Sequence, residues 1–165
     1  MTVDKSVPRY FGYLVVAVIV IILDQVTKLI AYDRLLGQQP VDVLPVLQWT
    51  LVFNRGAAFG FLNEAGGMQH YFFSGLAILV STCIMVWLWR IFMHNPILSW
   101  GLTLVLAGAL GNLVDRLRFQ YVIDFINLHY HDWYFPAFNI ADISITFGAI
   151  FLIIDILGIT GDASE

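Results

Sequence analysis

Charge is scarce in this sequence. Asp, Glu, Lys and Arg together make up 12% of 165 residues against 59% hydrophobic ones, and mean hydropathy is +0.80. A soluble domain of this size cannot hide so much apolar surface from water, so a bilayer must take it. Net charge is -4 and no basic run occurs, which offers nothing to a nucleic-acid partner. A single cysteine, Cys83, rules out an intrachain disulfide or a cysteine zinc site, and its apolar surroundings suit a lipid-facing or packed position. Internal repeats and low-complexity segments are missing, and the length fits one domain, residues 1–165. The first apolar run follows Lys5 and Arg9 but lacks a small-residue cleavage site before Asp24. It is expected to be a retained span and not a removed export signal.

What is abundant is long apolar runs. About 30 Å of hydrocarbon needs roughly 20 helical residues, and four stretches qualify. They lie at about 11–31, 71–93, 97–114 and 140–159. The expected fold is an all-α membrane protein of four transmembrane helices with both termini on one side. His94-Asn95-Pro96 marks a tight turn between the second and third. Basic residues do not decide the orientation, since they fall on both faces. Two loops, about 32–69 and 115–139, share the other face. In the first, Trp49, Leu51 and Phe53 alternate with Thr50, Val52 and Asn54, the pattern of a short strand. The second is rich in Tyr, Trp, Phe and His, which suit the headgroup region.

A charged side chain at mid-bilayer costs at least about 2.5 kcal/mol, so intramembrane acids point to function by default. Asp24 and Lys28 are four apart on the first span. Asn112, Asp115 and Arg116 share one face of the third. Asn139 and Asp142 open the fourth, and Asp124 sits in a short apolar stretch between. Each also has a plainer explanation. Asp24 and Lys28 neutralise each other as an i,i+4 pair. Asn112 and Arg116 serve equally as glue beside the small residues Ala107, Gly108 and Gly111. Asn139 and Asp142 read as an N-cap and a third-position acid. Asp155, at the other end of the last span, reads as a snorkelling end residue. His129 and His131 alternate but have no obvious third ligand, so neither a metal nor a cofactor is expected. The plain readings leave Asp124 unexplained, and also the gathering of polar groups from every span at one depth. Two acids at close range share one proton, which suits general acid and base work on a water. A helix start suits the charged member at Asp142, and apolar neighbours suit the neutral member at Asp124. A small proton-coupled carrier or channel is the rival class, but it would spread its acids across the bilayer as a relay.

Five short motifs follow in order: Asp24-Gln25-Val26-Thr27-Lys28, Asn54-Arg55-Gly56-Ala57-Ala58-Phe59, Gly108-Ala109-Leu110-Gly111-Asn112-Leu113-Val114-Asp115-Arg116, Val122-Ile123-Asp124-Phe125, and Phe138-Asn139-Ile140-Ala141-Asp142. Together they cover almost the whole chain and resemble the bacterial lipoprotein signal peptidase family (signal peptidase II). One departure is Ala107, where many members carry a second glycine. The resemblance implies an aspartic endopeptidase that cleaves diacylglyceryl-modified prolipoproteins just before the lipidated cysteine. It assigns Asp124 and Asp142 as the catalytic pair. It makes Asp24, Lys28, Asn54, Gly108, Asn112, Arg116, Asn139 and Ala141 substrate-binding or site-supporting. It further implies a small β cradle on the outer face and a monomer in contact with membrane lipid. The setting it implies is the bacterial cytoplasmic (inner) membrane, with both termini cytoplasmic and the site towards the outer face.

Overall fold

The computed structural model describes residues 6–56 and 68–158, with side chains from Tyr10 onward. Lys5, the Arg9 side chain, the small residues Ala57 and Ala58, and the acidic tail lie outside the described residues. The described residues form four helices and four strands: α1 Ser6–Leu35, β1 Val41–Leu44, β2 Leu47–Asn54, α2 Gln69–Ile91, α3 Pro96–Phe119, β3 Val122–Tyr130, β4 Trp133–Tyr134 and α4 Ile140–Ile156. The chain is therefore mostly helical with one small sheet. Among the described residues, three helices are long and apolar enough to cross a membrane, over Tyr10–Leu35, Gln69–Ile91 and Pro96–Phe119. The fourth has 17 residues.

The bundle is inside-out by the standards of a water-soluble protein. On α1, Val15, Ile19, Ile22, Val26 and Ile30 are about half exposed, whereas Asp24 is 0% and Lys28 1% exposed. That arrangement is stable only where the surroundings are apolar and the polar residues have partners inside. Cys83 is exposed on α2, the lipid-facing option of the two expected for it.

Helix α3 is the axis of the bundle, packing against α1, α2 and α4. Its start is well defined: Pro96 occupies the first turn, and Asn95 caps it by accepting from the Leu98 N–H at 3.0 Å. Asn95 also donates to Asp155 of α4 at 2.6 Å. Asp155 is thus a tie between two helix ends, not the free snorkelling residue its position near a span end suggests. A core of Tyr13, Ile84, Leu88, Phe92, Leu102 and Leu106 joins α1, α2 and α3. Small residues bring α3 against α4. A Cβ on Gly148 would lie 2.7 Å from Val105 Cγ2, and one on Gly108 would overlap the Ala141 carbonyl oxygen. Side-chain loss at these points lets the two backbones approach, the usual packing device where water cannot drive association.

The sheet runs in the order β1-β2-β3-β4, antiparallel throughout. Register places Val52 opposite Asp124 and Asn54 opposite Val122. The alternating run at 49–54 lies within β2. Residues 122–130, read from sequence as part of an aromatic interfacial loop, form the longest strand instead. The cause is burial on both faces. From Val122 to Phe125 every side chain is buried, so the period of two that marks a half-exposed strand is erased. Phe125 packs on Ala31 and Leu35, fastening the sheet to the end of α1.

Candidate active site

Three asparagines surround two acids. Asp124 enters from β3, in the middle of the sheet, and Asp142 from the first turn of α4. Asp124 Oδ1 accepts from Asn139 Nδ2 at 2.6 Å, and its Oδ2 accepts from Asn54 Nδ2 at 3.0 Å. Asp142 Oδ1 accepts from Asn112 Nδ2 at 2.8 Å, and its Oδ2 accepts from the Asn139 backbone N–H at 3.2 Å. Asn139 therefore touches both carboxylates, one through its side chain and one through its backbone. It also caps α4, accepting from the Asp142 N–H at 2.9 Å in a complete capping box. The helix-start reading of Asn139 and Asp142 is correct, and it does not compete with a site. The cap is what points this amide at Asp124.

Behind Asn112 lies a buried charged cluster. Lys28 Nζ contacts Asp24 Oδ2 at 2.8 Å, Asp115 Oδ2 at 3.0 Å and Asn112 Oδ1 at 2.9 Å, one acceptor for each ammonium proton. Gln25 Nε2 donates to Asp115 at 2.8 Å and to the Gly111 carbonyl at 3.2 Å. The two acids also hold backbone: Asp24 accepts from the Ala141 N–H at 2.8 Å and Asp115 from the Ile123 N–H at 3.1 Å. One carboxylate thus anchors the first turn of α4 and the other the start of β3, the two segments that carry Asp142 and Asp124. Sequence reading left Asp115 and Gln25 outside the set of site residues. The available signal was Asp115 three residues after Asn112, on the same helix face.

Asn54, Asn112, Arg116, Asp124 and Asp142 open on one cavity of about 1060 Å³, whose other walls are largely apolar side chains of α2, α3 and α4. Arg116 lies over the Phe73 ring at 5.4 Å and donates to the Gly56 carbonyl at 3.4 Å. Gly108 and Ala141 do not line the cavity; they meet in the α3–α4 contact. His129 lies away from the acids, 3.6 Å from Asp42 and stacked on Tyr134.

Burial, then the Asp142 carboxylate, push Asp124 up from 3.8 to about 7. Asp124 is the member suited to carry a proton near neutrality. A carboxyl whose folded pKa is raised keeps its proton between about pH 4 and 7 after the unfolded chain has lost it. Its contribution to stability is complete below about pH 4 and is lost as pH rises through 7. The apparent melting temperature in detergent is expected to fall by several degrees across that window. In Asp124→Asn this component of the slope should vanish; an unchanged slope would mean that another group causes it.

An apolar helical bundle holding a largely apolar cavity with two acids in its wall, beside a small sheet, is the architecture of a membrane enzyme. A solved bacterial membrane enzyme structure, obtained in meso at 2.3 Å, superposes with a TM-score of 0.76 at 34% identity, covering 93% of this chain and 92% of the other. The lipoprotein signal peptidase of Acinetobacter baylyi is 51% identical over 148 residues, 90% of this chain and 83% of the relative. That of Ectopseudomonas mendocina is 44% identical over 158 residues, 94% of each. The sequence pattern of the family described as Signal peptidase (SPase) II matches residues 16–158. The chain belongs to the signal peptidase II family.

Proposed function

We propose that Asp124 and Asp142 are the reacting pair of an aspartic endopeptidase. It removes signal peptides from diacylglyceryl-modified prolipoproteins by cutting before the lipidated cysteine. The observation that carries this reading is the bonding to Asn139 of both acids, which line one cavity. We assign the base to Asp142, which sits in the first turn of α4, where a helix N-terminus favours the charged form. The proton sits on Asp124. Asp142 takes a proton from a water as the water oxygen bonds to the scissile carbonyl carbon, while Asp124 protonates the carbonyl oxygen. The tetrahedral diol then collapses: the proton held by Asp142 passes to the leaving amine nitrogen, and Asp124 takes back a diol proton. One water is consumed, and the pair ends as it began, sharing one proton.

The same reading makes α4 a fourth, short span and lays the sheet on the outer face of the bacterial cytoplasmic membrane, with both termini cytoplasmic. The acids enter from one helix start and one interfacial strand, the depth at which an acylated peptide with its chains in lipid presents its backbone. The chain acts as a monomer among membrane lipids and needs no cofactor. A proton-coupled carrier would need acids at several depths, and family membership favours the protease.

The test is a comparison of precursors. The purified enzyme is expected to cut a diacylglyceryl-modified precursor, leaving a product that begins with the lipidated cysteine, and to leave the unmodified precursor essentially intact. Equal cleavage of both forms would sink the assignment of a lipidated substrate.

A further inference from the structure

We infer that Lys28 is a positioning residue: its ammonium, bound to Asn112 Oδ1, locks the Asn112 amide so that Nδ2 donates to Asp142. This rests on the assignment of Asp124 and Asp142 as the reacting pair. An amide can turn end for end, and the reversed form would set its oxygen against the carboxylate. Each of the three amides here has its oxygen held by a group that can only donate. Asn54 Oδ1 accepts from the Gly56 N–H at 3.0 Å, and Asn139 Oδ1 from the Asp142 N–H at 2.9 Å. Those two donors are local backbone, available because Asn54 ends a strand and Asn139 precedes a helix. Asn112 is in the interior of α3, where backbone N–H groups already bond carbonyls one turn back. It has no local donor to spare, so the donor comes from another helix.

Lys28 fits that need. An ammonium has three protons and no acceptor, so the atom of Asn112 facing it at 2.9 Å must be oxygen. Its contacts with Asp24 and Asp115 use only two of those protons, and the third goes to Asn112. Asn139 Nδ2 also reaches Asn112 Oδ1 at 3.2 Å, so the oxygen that Lys28 holds also accepts from the amide that serves Asp124. The ammonium touches neither reacting acid. It acts through the amides.

The experiment uses the full chain in detergent with a diacylglyceryl-modified precursor. Asp24→Asn with Lys28→Met removes the ammonium while keeping the cluster's net charge. It is expected to lower kcat by roughly 10- to 100-fold, the range for a hydrogen bond to a charged group, with KM within about twofold. Made in an Asn112→Ser background, whose hydroxyl can rotate to donate unaided, the same change should cost less than about threefold. Lys28→Gln, which can accept as well as donate, is the second variant should the first not fold, and the same losses are expected. Near wild-type kcat for the ammonium-free enzyme, or an equal loss in the Asn112→Ser background, would overturn the inference. Asp142→Asn is run alongside. If it still cuts, the reacting-pair reading fails; if it is dead while the Lys28 variants are fully active, only the role of Lys28 fails.

Discussion

Asp124→Asn and Asp142→Asn, made one at a time, are each expected to abolish cleavage of a diacylglyceryl-modified precursor. General acid–base catalysis supplies about 10²- to 10⁴-fold for one group, and here both groups act in the same proton transfers. Asparagine keeps size and polarity but neither accepts a water proton nor delivers one to a leaving amine. The double variant should be scarcely worse than either single one, because the pair works as a unit. Folding should survive, since the asparagine oxygen keeps one of each acid's two N–H partners and only the bond facing its NH2 is lost. Turnover followed by product mobility on a gel, with a melting curve for each variant, decides it. A single variant cutting within tenfold of the wild-type rate would remove that acid from the chemistry.

Gly108→Ala is expected to destabilise the bundle and disable the site together. The added methyl would meet the Ala141 carbonyl oxygen and Ile145 Cγ1. Backbone cannot step aside as a flexible side chain does, so the cost belongs at the upper end of overpacking, about 3 kcal/mol. The displaced residue is next to Asp142, whose bond to Asn112 crosses the same helix pair. Activity should therefore drop at least about tenfold, more than a mere loss of stability would predict below the melting temperature. Gly75→Ala is the contrast. Nothing lies within 4 Å of a Cβ there, so a neutral or slightly stabilising effect is expected in detergent. Equal melting temperatures for the two variants would show that α3 and α4 do not depend on the small residue at 108.

Much of this arrangement can be read in the chain. Three apolar runs correspond to helices long enough to span, with ends that differ by a few residues because helices continue into partly polar turns. Trp49 to Asn54 announces its strand by alternation of residue type, although exposure in β2 does not follow it: Trp49, Val52 and Phe53 are the exposed residues, and the ladder shifts register between Trp49 and Val52. β3 escapes the same reading because both its faces are covered. Asp115 shares one face of the third span with Asn112 and Arg116, but its side-chain partners lie far off in the chain. Its actual partners are Lys28, Gln25 and the Ile123 backbone, the first two of them about 90 residues earlier.

The sequence alone determined the apolar medium and the family resemblance, and it singled out the two acids as candidates, because these depend on composition and on motifs carried in order. Only the tertiary structure decided how the acids are held. Asn139 caps a helix and bonds both carboxylates; Lys28 meets three acceptors where an i,i+4 pair promised one. Hydrogen bonds between α1, α3, β3 and α4 have no periodicity along the chain, since they are set by which helix faces meet. That meeting is governed by small residues such as Gly108, whose role depends on the backbone opposite.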